Sequence, residues 1–388
     1  MPSSIYIHIP FCRRRCFYCD FPVSVLGDRT QGDSSGTMRN YVDLLCEEIN
    51  LTPVSETPIK TIFFGGGTPS LLSVQQLTKI LTTLNHRFNI TQNAEISIEM
   101  DPGTFDYAQI KEYKELGINR VSLGVQSFQN ELLKNCGRSH NVDEIFQAID
   151  LIRKAEINNF SIDLISGLPH QTLDQWEFSL KSAIDIYPHH ISIYDLIVEE
   201  KTPFARYYEA GKTPLPTDEM TAKMYKLASE KLKKAGYEHY EISNYALPNY
   251  QCKHNKVYWQ NQFYYGFGMG AASYINNMRF TRPRTTKKYE QWVKSGCIID
   301  VLPSDENDIL LESLMLGLRL AAGVKLTDYG EKFGQEIKEK IWQSLKPYYQ
   351  QGWLENINND PDMIRLSDPE GFLFSNSILS TLFKELQL

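Results

Sequence analysis

The amino-acid sequence predicts an α/β fold: an open parallel barrel of six strand–helix units followed by a smaller, mainly helical C-terminal domain. Three observations carry this. Short β-rich runs alternate with amphipathic stretches through the first two hundred residues, which is the signature of parallel βα units. Beyond Ser304 that alternation gives way to strongly apolar helical sequence. A chain of 388 residues with 42% hydrophobic content can fill one large core and a second, smaller one.

The strands are expected at residues 4–9, 61–64, 94–99, 120–125, 159–165 and 190–196. Between them, apolar residues recur at helical spacing and would bury one face against the sheet. Tyr41, Leu44 and Leu45 mark the first helix, and Leu77, Ile80, Leu81, Leu84 and Phe88 the second. Ile145, Ala148, Ile149 and Ile152 mark another, and Trp176, Leu180, Ala183 and Ile184 a further one. Residues 27–37 are polar and glycine-rich and read as a mobile loop, a plain insertion or a lid. Pro203, Gly211, Pro214 and Pro216 break the pattern and mark a connection leaving the barrel before a helix through Tyr225, Leu227, Ala228 and Leu232. Ile309, Leu310, Leu314, Leu316, Leu318 and Leu320 then form an apolar helix, followed by more helices around a turn-rich stretch at 360–374 with a short β-hairpin. The resulting division is a barrel at 1–235, a connecting segment at 236–303 and a C-terminal domain at 304–388.

No run of 18 apolar residues occurs, and the N-terminus opens directly into a strand, so neither an integral membrane protein nor export is expected; a cytoplasmic location is. A net charge of -7 argues against a nucleic-acid partner. Arg13, Arg14 and Arg15 form the most basic run and are expected to face solvent or the neighbouring cysteines.

Cys12, Cys16 and Cys19 stand within eight residues just after the first strand. Three thiolates on one short loop can each take one iron of a 4Fe-4S cluster, leaving the fourth iron open to a small molecule. Structural zinc would need a fourth ligand, usually from a second paired knuckle, and none follows. Disulfides are disfavoured by seven cysteines without framework spacing. Cys46, Cys136, Cys252 and Cys297 are scattered and read as small buried hydrophobes.

Parallel strands bring their C-terminal ends to one rim, where ligands bind. The second expected strand ends in Gly65-Gly66-Gly67-Thr68-Pro69, where missing side chains let backbone approach a ligand. The third ends at Glu99, the fourth at Gln126, and the fifth carries Asp163 before Gly167-Leu168-Pro169. Each has a plainer reading: a tight turn, a surface carboxylate before Asp101-Pro102, a loop cap. Four polar strand ends beside one cysteine loop favour a common site.

These motifs carry a resemblance. Tyr6-Ile-His-Ile-Pro-Phe-Cys12, Gly65-Gly-Gly-Thr-Pro-Ser70, Gly124-Val-Gln-Ser-Phe128, Gly137-Arg-Ser-His140 and Asp163-Leu-Ile-Ser-Gly-Leu-Pro169 resemble the HemN family of radical S-adenosylmethionine (radical SAM) proteins over nearly the whole chain. The resemblance implies a partial (β/α)6 barrel and a small winged-helix-like C-terminal domain. It implies that Cys12, Cys16 and Cys19 hold the 4Fe-4S cluster and that S-adenosylmethionine chelates the open iron. Gly66, Gly67 and Thr68 would then meet the methionine amino end, with Tyr6, Tyr18, Glu99, Gln126, Arg138 and Asp163 around the rest of the cofactor. It further implies reductive cleavage of the sulfonium bond to a 5'-deoxyadenosyl radical.

Two branches of that family fit, an oxygen-independent coproporphyrinogen III oxidase and a haem-binding chaperone that passes haem to an acceptor protein. The oxidase typically carries a further cysteine two positions after the triad, whereas this chain reads Cys19-Asp20-Phe21, and it carries an N-terminal extension for which Cys12 leaves no room. Cys252-Lys-His-Asn-Lys-Val-Tyr-Trp259 resembles the H-N-x-x-Y-W haem-associated motif of the chaperone branch. His254 is then an axial-ligand candidate and Cys252 an alternative thiolate, with Tyr258 and Trp259 offering flat surface to a porphyrin. The plainer reading is a structural histidine beside two core aromatics. The chaperone is therefore the expectation and the oxidase the alternative. The haem acceptor is unidentified, and the sequence leaves open a homodimer and any turnover of S-adenosylmethionine.

Overall fold

The structure, a computed structural model, describes residues 1–28 and 32–386. Six parallel strands follow the expected order: β1 (Ser4–Ile9), β2 (Ile59–Gly66), β3 (Ile90–Met100), β4 (Arg120–Gln126), β5 (Phe160–Ser166) and β6 (His190–Asp195). Each pairs with the next in sequence. The connections carry α1 (Gly36–Leu51), α2 (Val74–Arg87), α3 (Tyr107–Glu115), α4 (Asn130–Asn135), α5 (Val142–Lys154) and α6 (Leu173–Ile186). Three of these helices start at capping boxes, Ser73 with Gln76, Asn141 with Glu144 and Thr172 with Gln175, which satisfy the first free N–H groups. Residues 29–31, the centre of the expected 27–37 loop, lie outside the described residues. The end of that stretch is regular: Gly32–Ser34 make a 3-10 turn, and Ser35 caps α1 by accepting from the Met38 N–H.

The alternation along the strands explains how a barrel can hold polar groups at its centre. Side chains of successive strand residues point to opposite faces. Ile5, Ile7, Ile62, Phe64, Ile98, Leu123, Val125, Ile162, Leu164, Ile191 and Ile193 belong to the continuous apolar core with the helices. Residues of the opposite parity, including Phe63, Glu99, Arg120, Ser122, Asp163, His190, Ser192 and Tyr194, line an interior cavity of about 210 Å³. One face of each strand thus makes the core and the other makes a polar chamber.

Three further strands lie beyond the six expected ones. After α7 (Pro203–Tyr207) and α8 (Asp218–Lys234), β7 (Glu238–Glu241) and β8 (Asn244–Ala246) extend the sheet beyond β6. β9 (Tyr265–Phe267) pairs in parallel with β1 at the other edge, giving the order β9-β1-β2-β3-β4-β5-β6-β8-β7. Residues 236–303 therefore supply both edges of the barrel sheet. They also contain α9 (Lys253–Trp259), the antiparallel pair β10 (Ala272–Ile275) and β11 (Met278–Thr281), and α10 (Thr286–Lys294).

The C-terminal region has its own core around Leu310, Leu314, Ile341, Leu345, Ile364 and Ile378. Its elements are α11 (Glu306–Gly317), β12 (Val324–Lys325), α12 (Leu326–Phe333), α13 (Gln335–Gln350), β13 (Leu354–Ile357), β14 (Asp360–Leu366), α14 (Glu370–Leu373) and α15 (Ser375–Leu386). The hairpin begins earlier than expected. Asn358 and Asn359 at its turn take φ of 54° and 59°, the left-handed pair that suits a two-residue hairpin loop. The region docks on the β7 edge, where the Ala321 N–H donates to Tyr240 O (3.0 Å) and the Ile242 N–H to Arg319 O (3.1 Å). Among the described residues, no helix is long and apolar enough to cross a membrane.

Candidate functional site

The cysteine loop is tied down by its backbone. The two-residue strand Phe11–Cys12 pairs with Ser24–Val25, the Leu26 N–H donates to Cys12 O (2.9 Å) and the Phe17 N–H to Cys136 O (2.9 Å). Two further bonds lock the loop to the glycine turn after β2: the Gly67 N–H donates to Ile9 O (2.8 Å) and the Thr68 N–H to Phe11 O (2.7 Å). A Cβ on Gly67 would stand 2.6 Å from Phe11 O, so this approach requires glycine. Gly66 takes φ +112°, and a Cβ there would meet the His8 ring at 2.4 Å. Arg13 and Arg15 brace the loop, donating to Gly103 O and Cys19 O, while Arg14 pairs with Asp28 at the surface.

Beside this loop lies a cavity of about 380 Å³. Cys12, Cys16 and Cys19 line it together with Tyr18, Gly66, Gly67, Thr68, Glu99, Gln126, Arg138 and Asp163. Tyr6 lies outside this cavity and lines the barrel interior behind it, its hydroxyl 3.1 Å from His8 Nδ1. Asp101, Ser122, Tyr194 and Asp195 line the cavity too and were not anticipated.

The polar groups form one network. The Glu99 carboxylate accepts the Gly66 N–H (3.0 Å). Asp101 accepts from the Thr68 hydroxyl (3.0 Å) and pairs with Arg138, which also donates to Gly124 O (2.8 Å) and approaches Cys16 Sγ at 3.5 Å. Asp163 accepts from Ser122 (2.8 Å) and Ser161 (3.2 Å). Gln126 holds φ +67°, uncommon for a residue with a side chain, at the end of β4. Burial, then Asp163 and Asp101, push the Glu99 carboxyl up to about 8 against the Gly66 N–H. Burial raises Asp163 as well, opposed by its serine donors and Arg120. Burial, then the Asp101 charge, push the Cys12 thiol up to about 12.

The donor set fits a 4Fe-4S cluster bound by three cysteines. The three thiols are free, share one braced loop and face a single cavity. Metal coordination removes the thiol proton that burial otherwise retains. Among the described residues, no three His, Cys, Asp or Glu side chains gather around the position of one ion, so a mononuclear site has no ready-made ligand set.

The second candidate group lies on α9. Cys252 and His254 are fully buried. The Glu95 carboxylate accepts the His254 N–H (3.0 Å) and the Lys253 N–H (3.2 Å) and lies 3.7 Å from Cys252 Sγ. His254 Nδ1 lies 2.8 Å from the Thr61 hydroxyl and Nε2 lies 2.8 Å from the Tyr258 hydroxyl. Its ring stacks on Phe63 with centroids 5.2 Å apart. In this arrangement neither nitrogen is open to an iron. Burial, with Arg120 nearby, lowers the imidazole to about 3, so it is neutral. Burial raises the Cys252 thiol to about 12. Tyr258 and Trp259 instead reach two hollows between the barrel and the C-terminal region, of about 420 and 300 Å³. Tyr258 and Tyr6 line both the larger hollow and the barrel interior. Glu99, Ser122, Asp163 and Tyr194 are shared in turn by that interior and the cysteine cavity. The three spaces stand in series.

Comparison with known proteins identifies the family and the fold. Residues 6–183 match the model of the radical SAM superfamily, and residues 305–373 that of the HemN C-terminal domain. The chain is 47% identical to the "Heme chaperone HemW" of Synechocystis sp., over 100% of this chain and 98% of that one. It is 38% identical to the "Heme chaperone HemW" of Escherichia coli, over 99% of each. The solved structure of coproporphyrinogen III oxidase (HemN) from Escherichia coli superposes with a TM-score of 0.83 at 23% identity, over 98% of this chain and 90% of that one, which establishes the shared fold.

Proposed function

The chain belongs to the HemW family of radical SAM proteins, and from that premise we propose that it is a haem chaperone: it binds haem, carries a 4Fe-4S cluster with S-adenosylmethionine, and passes haem to an acceptor protein. The observation that carries the cofactor part is the convergence of Cys12, Cys16 and Cys19 with the glycine turn, Glu99, Arg138 and Asp163 on one cavity. The three cysteines are the cluster ligands in this reading. When bound, the cluster and S-adenosylmethionine supply one-electron chemistry.

The chain's own groups suit the ligand by charge. The backbone at Gly66 and Gly67 and the Thr68 side chain offer polar atoms to the amino-acid end. Arg138, held between Asp101 and Gly124, orients a carboxylate as a rigid fork. Asp163, Glu99 and Tyr194 face the inner side, where the sulfonium and nucleoside bring positive charge and hydroxyls. Gln126, Tyr18 and Tyr6 complete the assignment, Tyr6 from behind the cavity. The α9 motif with Tyr258 and Trp259 is the haem-binding element.

The test uses anaerobically reconstituted protein, titrated with haem and, separately, incubated with coproporphyrinogen III, S-adenosylmethionine and a reductant. Stoichiometric haem binding without protoporphyrinogen formation is the expected result. Turnover of coproporphyrinogen III would make the protein an oxidase and remove the chaperone reading.

A further inference from the structure

We propose that the ligand to haem iron is the Tyr258 phenolate, with His254 as the buried partner that holds the phenol rather than as the axial ligand. The inference rests on the haem-binding reading above and deepens it. Three independent features of the fold lead to it.

His254 is committed elsewhere. It is fully buried, with Nδ1 on Thr61 and Nε2 on Tyr258, and Phe63 covers one ring face. Bringing either nitrogen to a porphyrin would break two hydrogen bonds and unpack the floor of the barrel. Its backbone is fixed too, through Glu95 on β3.

Tyr258 is one turn along α9 and only partly buried. It lines the hollow of about 420 Å³ facing the C-terminal region. Its hydroxyl has a single protein partner among the described residues, His254 Nε2, so an oxygen lone pair is left for a metal. Tyrosinate is an established protein ligand for ferric haem. A histidine held behind a ligand in this way fixes its orientation and raises its basicity, as outer partners do for other metal ligands. On coordination the phenol O–H bond breaks as the iron–oxygen bond forms; the ferric charge offsets the burial that keeps the free phenol protonated, and the proton leaves to solvent through the hollow while His254 stays neutral.

The hollow itself suits a porphyrin. Tyr6, Tyr264, Ala272 and Leu316 give it apolar walls. Arg279 sits at its edge, held by Glu312 (2.9 Å), the Tyr264 hydroxyl (3.1 Å) and Asn261 Oδ1 (3.1 Å), with its guanidinium 4.3 Å over the Tyr274 ring. Glu312, Asn261 and Gln262 line the same hollow, so a propionate would take the guanidinium by displacing the Glu312 carboxylate.

The experiment titrates ferric haem into the full-length reconstituted protein and its Tyr258→Phe, His254→Gln and Arg279→Ala variants, reading affinity by Soret absorption and the axial ligand by resonance Raman. Circular dichroism checks that each variant is folded. The wild type should show tyrosinate vibrational modes and an iron–phenolate charge-transfer band. Tyr258→Phe, which removes one oxygen and keeps the ring, should abolish both and weaken binding by about tenfold or more. His254→Gln should keep the modes at shifted frequency, and Arg279→Ala should weaken binding with the modes unchanged. A Tyr258→Phe protein with the wild-type spectrum, or a wild-type imidazole-ligated spectrum lost in His254→Gln, would overturn the phenolate assignment while leaving the haem reading intact. A wild type that takes up no stoichiometric haem would overturn both.

Discussion

At the scale of single residues, the account turns on groups whose properties come from neighbours far away in sequence. Glu99 was legible as a polar strand end, but its protonation was not, because burial and Asp163 act on it only after folding. Its carboxyl rises from an ordinary 4.5 to about 8, chiefly by burial. The folded state therefore holds the proton more tightly than the unfolded chain, and the associated stability is present below 4.5 and lost as pH rises through about 8. Glu99→Gln should remove that slope, making the ligand-free protein about 1–3 kcal/mol more stable than wild type at pH 8.5. Urea unfolding of both proteins at pH 5 and pH 8.5 checks this; equal pH slopes would contradict it. The three loop cysteines stand out by their spacing, and the fold brings them to one cavity. Replacing all three with alanine should abolish the visible cluster absorption after anaerobic reconstitution, and a full 4Fe-4S spectrum in that variant would refute the assignment. Asp101, Ser122 and Tyr194 escaped the sequence because nothing local marks them. They join the site through the pairing of β3 to β6, which puts alternate residues of different strands on one inner face.

At the scale of elements, the long periodic segments were readable and the short ones were not. Helices such as α2 and α5 announce themselves by apolar spacing and by capping residues. β7, β8 and β9 are three or four residues each, too short for alternation to register. Residues 265–275 hold strand β9, a turn and β10, with Gly266 so close to its neighbour that a Cβ would lie 1.8 Å from Ala272 O. The glycine turn after β2 serves the site differently. Gly67→Ala would force apart the turn and the cysteine loop, since the atom in the way, Phe11 O, is backbone rather than a yielding side chain. It should cost about 1–3 kcal/mol and weaken S-adenosylmethionine binding together with cluster retention. Calorimetric titration and thermal unfolding read both; a variant with unchanged stability and affinity would show that the tight approach is dispensable.

For the whole molecule, the C-terminal region completes the outer hollow, and one of the polar contacts that hold it to the barrel centres on Asp368. Asp368 accepts from Ser229 of α8 (2.9 Å) and lies 3.1 Å from Lys233 and 3.0 Å from His239 Nδ1 on β7. Burial works to raise its carboxyl, but His239, Ser229 and Lys233 outweigh it and hold the group at about 2. The stability it contributes is present above the ordinary carboxylate value and lost as pH falls toward 2. Asp368→Asn should lower stability at pH 7 by about 1–2 kcal/mol, with the difference from wild type shrinking in acid. A variant as stable as wild type at pH 7 would remove this contact from the account. The domain order was legible because the composition changes near Ser304. That residues 236–303 close both edges of the barrel sheet was not, since β9 returns across the whole sheet to pair with β1.

A protein that carries haem in order to give it away must pass it to an empty acceptor. Haem-loaded, cluster-reconstituted protein would be mixed with apomyoglobin as a neutral acceptor, and the Soret band followed with time. Haem should bind one to one and then be released to the acceptor, with the donor spectrum decaying as holomyoglobin appears. Haem that never binds, or that binds and remains while the acceptor stays empty, would contradict the chaperone reading.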